Sequence, residues 1–440
     1  MMTPEQPETT EDPATRWARS IRFVTGQQGF AYRPHEVIAD KDSHLELQRT
    51  PGNERVTATE VSNTLELISG VSDPQEAVLF LRAAGHRAQL NHVVFASTAV
   101  TAHPALHAHP ALHAHSAGGS GCCCGDDYAE SGKGCGPTPP FYAPQPPTTR
   151  NAEPAWSDSQ LLRDRAAAPK RRVRVVVLDT GYADAKFRDD IPRVVARPDE
   201  QWGSTDVNLR SNLDHPDEDT NEWLDPVAGH GTFIAGLITR LAPGADVTVG
   251  KVLENTGEGN DADLAFRIHK LANEGPPDIL SLSCSCYTEH DELPLGLAEA
   301  IARIQAMGTV VVAAAGNEST CRVNFPAALP GVIAVGALDP YGPASFTNYG
   351  SWVRACAPGY DVVSRFFTKT DYHEDHDTGT SDYHGWAKWS GTSFSTPIVV
   401  GAIARETGLY DITVAEAVTR VIDDPRLFRL EGLGTVVNVH

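Results

Sequence analysis

Three polar residues stand where a chain can do chemistry. Asp179 directly follows the apolar run VRVVVL, at the carboxyl end of a strand. His230 lies in GHGTFIAGLI, with a glycine on each side that clears space around its imidazole. Ser393 lies in SGTSFSTPIVVGAIA, ahead of Pro397, which reads as a first-turn proline at the start of a helix. A helix start offers backbone N–H groups and a dipole that favours developing negative charge. Each residue also has a plain structural reading. Asp179 suits a turn or N-cap before Gly181, His230 a structural role near a helix start, and Ser393 or Ser395 a helix cap. Together they supply a carboxylate, a base and a hydroxyl. A serine hydroxyl is a weak nucleophile at its own pKa and needs a base to take its proton. A carboxylate beside that base fixes its tautomer and stabilises its cation.

The flanking segments must hold these groups. VRVVVLD (Val173–Asp179), DVTVGKVL (Asp246–Leu253), DILSLS (Asp278–Ser283) and TVVVAAA (Thr309–Ala315) are apolar runs of the strand type. Such unalternated runs suit parallel strands covered on both faces. Between them Ile234, Leu237, Ile238 and Leu241 recur at i, i+3, i+4 and i+7. Leu264, Ile268 and Leu271 recur at i, i+4 and i+7. Both spacings predict one apolar face of a helix. Strands alternating with helices predict a three-layer α/β/α fold with a mostly parallel sheet. In such folds active groups gather at the carboxyl ends of strands.

Asp179, His230 and Ser393 follow one another in the order found in subtilisin. The chain resembles the subtilisin-like serine peptidases, or subtilases. The resemblance rests on VLDTG around Asp179, GHGT around His230 and GTSFSTP around Ser393. AAAGN (Ala313–Asn317) is similar to the family's oxyanion segment, and ASFTNYG with APG (Ala344 to Gly359) to the stretch before the serine. It covers roughly Arg172 to the C-terminus. It implies a serine endopeptidase acting on a peptide or protein substrate. Asp179, His230 and Ser393 would be catalytic, and Asn317 would assist the Ser393 backbone N–H at the oxyanion. It also implies a substrate pocket walled by Ser283, Cys284 and Ser285 on one side and Ala314, Ala315 and Gly316 on the other. The family usually has glycines where this chain has Ser285 and Cys286, so bulkier walls are expected here. No cofactor is required. Calcium is common in the family, and Asp214–Glu222 and Asp371–Asp377 are acidic enough for a hard cation, although solvated surface loops are the better reading of both.

The first third of the chain is different. Residues 1–20 read as a disordered acidic tail. Residues 21–96 read as a small α/β unit: a strand at Glu36–Ala39, a helix starting at Ser72 or Asp73 with Pro74 in its first turn and Gly85 as its stop, and a strand at Leu90–Ala96. Its size suits the prodomain that many subtilases carry, and hence an intramolecular inhibitor. A separate recognition domain is the competing reading. Residues 97–158 have linker composition, and residues 159–440 form the peptidase region. Self-processing would fall in the linker. The linker holds HPALHA twice, then GCCCG. Pro104 and Pro110 disfavour a continuous helix, and three adjacent cysteines lack the gap of a zinc knuckle. A spacer is the main reading of this tract.

A net charge of −21, from 36 Lys and Arg against 57 Asp and Glu, argues against nucleic acid or an anionic membrane as partner. No run of 18 apolar residues occurs, so no transmembrane helix is expected. The N-terminus lacks the basic start and apolar middle of a secretory signal, which predicts a cytoplasmic location, with export by another route open. The cysteines are then reduced by default, and a Cys321–Cys356 disulfide needs an oxidising compartment. Cys284 and Cys286 read as buried or pocket-lining thiols. Two other functions stay open: a catalytically weak pseudo-protease that binds peptides, and a metal-binding protein built on the His/Cys tract.

Overall fold

Strand Val173–Asp179 is apolar on both faces because both faces are covered. Val175 and Val177 enter one core, and Val176 and Leu178 enter another. The helices His230–Leu241 and Thr392–Tyr410 fill the first core with Ile234, Leu237 and Ile238 and with Ile398, Val399 and Ile403. The helices Asp261–Glu274 and Leu295–Ala306 fill the second with Leu264, Ile268 and Leu271 and with Leu297, Ile301 and Ile304. The computed structural model describes residues 20–97 except Gln27, then 169–183, 194–196, 212–218, 224–368, 383 and 385–437. The acidic tail through residue 19, residues 98–168 with the His/Cys tract, the Asp371–Asp377 loop and residues 219–222 lie outside the described residues.

The larger sheet has ten strands. Val173–Asp179 is interior to it, parallel to Ala245–Lys251 on one side and to Ile279–Leu282 on the other. Val310–Ala314, Ile333–Asp339 and Ala355–Pro358 continue outward in parallel. Gly342–Pro343 against Ile333–Asp339 and Arg429–Leu430 against Gly434–Val436 pair antiparallel. Asp179 ends the interior strand, with Ser281–Leu282 and Lys251 at neighbouring strand ends.

Residues 20–97 build a second sheet, antiparallel throughout. Helix Pro74–Ala83 begins where Asp73 accepts the Glu76 N–H at 3.0 Å, with Pro74 as the first helical residue. Ala77, Val78 and Leu81 bury its inner face against Val37, Ala39, Ile68 and Leu90. Gly85, at φ +96°, ends it in the left-handed region. Ile38, Val61, Leu65, Leu67 and Val94 leave this sheet to join the core of helices Asp261–Glu274 and Leu295–Ala306. Burying side chains of this size stabilises by about 1.5–3 kcal/mol each.

The last strand of that sheet, Ala88–Ala96, reaches out of it. Val93, Val94 and Phe95 pair antiparallel with Asn260, Gly259 and Glu258. On its other edge Phe95 and Ala96 pair with Ser285 and Cys284. The strand is thus clamped between two short strands of the larger region. No helix among the described residues is long and apolar enough to cross a membrane.

Pro397 does not lie in the first turn of its helix. The helix starts at Thr392 with Gly391 as N-cap, so Pro397 falls one turn later. Proline has no N–H, and the acceptor it would have served is the carbonyl of Ser393. Ser283 Oγ donates to that carbonyl instead, at 3.0 Å. Ser395 does not cap the helix either; its hydroxyl donates to the Ala357 carbonyl at 3.0 Å.

Candidate active site

Two glycines bring His230 to Asp179. A Cβ on Gly231 would sit 2.2 Å from the Gly181 carbonyl oxygen, so only glycine lets the helix touch the turn after Asp179. Gly229 has φ +80°, and a Cβ there would meet the Phe366 ring at 2.2 Å. The result is an Asp179 Oδ1 to His230 Nδ1 distance of 2.6 Å, with both side chains fully buried. Asp179 Oδ1 also accepts the Thr180 N–H at 2.8 Å, which fixes the carboxylate plane. The imidazole is held edge-on by two rings, Trp389 and Phe394, each with its centroid 5.3 Å away. His230 Nε2 is buried without a hydrogen-bond partner.

Ser393 follows the first residue of its helix, and its hydroxyl donates to the Ser283 carbonyl at 3.1 Å. Asn317 approaches from the end of the Val310–Ala314 strand. Its Oδ1 accepts the Thr392 N–H at 2.9 Å, and its Nδ2 is buried with no partner. Thr392 Oγ1 accepts the Gly316 N–H at 3.2 Å and ties the two segments again.

The backbone of Ser97 lies in this site. Its N–H donates to the Ser283 carbonyl at 2.9 Å, and its carbonyl accepts the Ser393 N–H at 3.1 Å. Its side-chain hydroxyl donates to Ser285 Oγ at 3.0 Å. Of the six residues expected to wall the substrate pocket, Ser283 and Ser285 bond Ser97 and Cys284 pairs with Ala96. Ala314 ends its strand, Ala315 bonds the Val335 carbonyl, and Gly316 at φ +100° is packed against Asn324 and Asn348. Burial pushes the Cys284 and Cys286 thiols up, so both are neutral and neither is a nucleophile. Among the described residues Cys284, Cys286 and Cys356 are free thiols, so Cys356 is not bridged to Cys321.

The spacing of motifs did not point to Ser97, Trp389, Phe394 or Asn324. Phe394 sits inside the GTSFSTP block, and Trp389 stands four residues before Ser393. Ser97 had one signal: it directly follows the apolar strand LNHVVFA.

Asp214 Oδ2 accepts the Thr180 hydroxyl at 2.7 Å and the Gly229 N–H at 2.9 Å, and Glu218 pairs with the buried ammonium of Lys251. Among the described residues no group of three or more His, Cys, Asp or Glu side chains stands together as a metal site.

A parallel sheet with a carboxylate at a strand end, an imidazole on the next helix and a serine at a later helix start defines the subtilisin-like class. The chain belongs to the subtilase family (peptidase S8), which residues 170–423 match. It is 34% identical over 220 residues to the thermophilic serine proteinase of Bacillus sp. (strain AK1), 47% of this chain and 48% of that one. It is 30% identical over 287 residues to halolysin of Haloferax mediterranei, 62% of this chain and 47% of that one. The chain spans about half the length of the curated relatives it matches. Among solved structures, the prenylagaramide maturation protease PagA is similar at 26% identity over 57% of this chain and 81% of that one, with a TM-score of 0.41.

Proposed function

We propose that the chain is a serine endopeptidase that cuts itself after Ser97 and is then held in check by its own residues 20–97. The sheet and its two helix pairs are read as three layers, with residues 20–97 as a prodomain-like unit. One observation carries this: the Ser97 carbonyl sits on the Ser393 N–H while its strand is paired on both edges, as a bound substrate would be.

The chemistry follows from the groups present. The reaction needs the Ser393 hydroxyl to turn about χ1 from the Ser283 carbonyl toward His230 Nε2, which is buried without a partner. His230 takes the proton as Oγ bonds to the Ser97 carbonyl carbon, and Asp179 stabilises the imidazolium. Charge gathers on the Ser97 oxygen, where the Ser393 N–H and the Asn317 amide donate. Collapse breaks the bond to the Thr98 nitrogen, which receives the His230 proton. Water, deprotonated by His230, then releases Ser97 as a carboxylate and restores the Ser393 hydroxyl. The strand remains as a product, its N-terminal unit still packed on the helices.

The test pairs intact mass with covalent labelling. Wild type should yield a fragment ending at Ser97 and a new N-terminus at Thr98, and a serine-directed phosphonate should label Ser393 after the fragment leaves. Ser393→Ala should stay whole and unlabelled. Full labelling of Ser393→Ala, or an uncut and unlabelled wild type, would sink the proposal.

A further inference from the structure

The pocket that receives the residue before the cut bond is built around a hydroxyl. Ser97 Oγ donates to Ser285 Oγ at 3.0 Å, and both residues are buried. Ser285 cannot swing aside with its backbone, because the next residue is fixed: Cys286 and Phe325 exchange two backbone hydrogen bonds, at 2.7 and 2.9 Å. The residue before Phe325 is Asn324. Its side chain is 1% exposed, and neither its amide oxygen nor its amide nitrogen has a partner. Asn324 Nδ2 lies 2.4 Å from where a Cβ on Gly316 would stand, while the next residue, Phe325, is tied to Cys286, so Asn324 stands between the Ser283–Cys286 and Ala314–Gly316 segments. Beyond it Glu318 accepts from Tyr287 Oη at 3.0 Å, Asn348 Nδ2 at 2.7 Å and its own neighbour's N–H, Asn317, at 2.9 Å. The floor between these walls is therefore polar, made of Ser285, Asn324 and Glu318.

We propose that this pocket selects serine at the residue whose carbonyl is attacked, and that Ser285 and Asn324 impose the choice. The inference rests on the peptidase reading above. A serine substrate keeps the Ser285 hydroxyl bonded and is short enough to leave the Asn324 amide in place. Alanine leaves the Ser285 hydroxyl buried and unpaired. Leucine, phenylalanine or arginine must displace side chains whose backbones are tied to Phe325, or strip partners from two buried polar groups. A site that bonds a substrate hydroxyl rejects analogues lacking it more strongly than an apolar pocket rejects a change in size.

The experiment uses the full-length, self-processed protein and quenched peptides with the sequence VVFAXTAV, where X is Ser, Ala, Leu, Phe or Arg. Serine should give the highest kcat/KM, alanine a value about tenfold lower, and the three larger residues a fall of about 10²-fold or more. Ser285→Gly should lose the serine advantage over alanine and gain at least tenfold on leucine relative to serine. Asn324→Ala should show the same gain on leucine while keeping the preference for serine over alanine. Phosphonate labelling counts the active sites in each preparation, so misfolded variants are corrected for. Leucine or phenylalanine cut as well as serine by labelled wild type overturns the pocket inference and leaves the peptidase reading standing. Absence of both labelling and cleavage overturns the two together.

Discussion

The carbonyl oxygen of Ser97 accepts a hydrogen bond from the backbone N–H of Ser393 at 3.1 Å. Asn317 accepts the Thr392 N–H at its Oδ1, and its Nδ2 is buried without a partner, as an amide reserved for a developing oxyanion would be. Asn317→Ala should therefore lower kcat with little change in KM. In subtilisin, loss of the corresponding donor costs about 10²–10³ in turnover, and a fall of that order is expected here. Self-processing should slow in proportion, read as the half-time of fragment appearance on a gel. An unchanged half-time would remove Asn317 from the reaction.

Asp179 and His230 are 2.6 Å apart with no exposure to water. Asp179→Asn keeps the shape but offers an amide where a carboxylate fixed the tautomer. A loss of about 10⁴ in kcat is expected, by the behaviour of such triads. Circular dichroism and melting temperature should stay close to wild type. A loss of activity that tracks unfolding would assign Asp179 a structural role only.

Gly231→Ala tests the approach of helix to turn. The added methyl would lie 2.2 Å from the Gly181 carbonyl oxygen. The helix must back away, and His230 goes with it. A displacement of about 1 Å at a reacting group can cost about 10² in rate. The variant should lose activity on that order and label slowly with phosphonate. Wild-type kinetics in this variant would mean that the turn yields instead.

Much of this was legible in the sequence, and the reasons are local. VRVVVLD reads as a buried strand because valine fills both faces, and Asp179 marks its end because it breaks the apolar run. The apolar stripe from Ile234 gives the helix behind His230, since helical periodicity survives without knowledge of partners. Pro397 misled because a proline near a helix start usually occupies the first turn, whereas here a side chain 110 residues away, Ser283, serves the orphaned carbonyl. Pairings between distant segments were not legible. Phe95 meets Glu258 and Ser285 through backbone hydrogen bonds, which carry no residue code. The same holds for Ser97, whose place is set by the strand before it and not by its own type.

Residues 20–97 also grip the peptidase region through a helix end. Asn91 Oδ1 accepts the Ala262 N–H at 3.2 Å, one of the donors left open at the start of helix Asp261–Glu274. Asn91 Nδ2 donates to Glu36 at 2.6 Å. Asn91→Ala leaves buried groups unpaired, a cost of about 1–3 kcal/mol. The released fragment should then inhibit about 5- to 150-fold less tightly, by the tenfold per 1.4 kcal/mol rule. Titration of the fragment against peptide hydrolysis measures this, and an unchanged inhibition constant would place the grip elsewhere.

Asp214 gives a pH dependence whose sign is fixed. Burial raises its carboxyl to about 8, despite the opposing pulls of Lys251 and the Thr180 hydroxyl, whereas its ordinary value is 3.8. Between those values the folded protein keeps a proton that the unfolded chain has lost. Stability from this group is present below about pH 4, declines as pH rises towards about 8, and is flat beyond. Asp214→Asn does not ionise there and keeps an oxygen to accept the Thr180 hydroxyl and the Gly229 N–H. Both chains are best melted in the Ser393→Ala background, which prevents self-digestion. The melting temperature of the Asn variant relative to Asp should climb by several degrees on the order expected for such linkage between pH 5 and pH 8.5. A difference that is constant with pH, or that shrinks, would show that Asp214 is ionised in the folded protein.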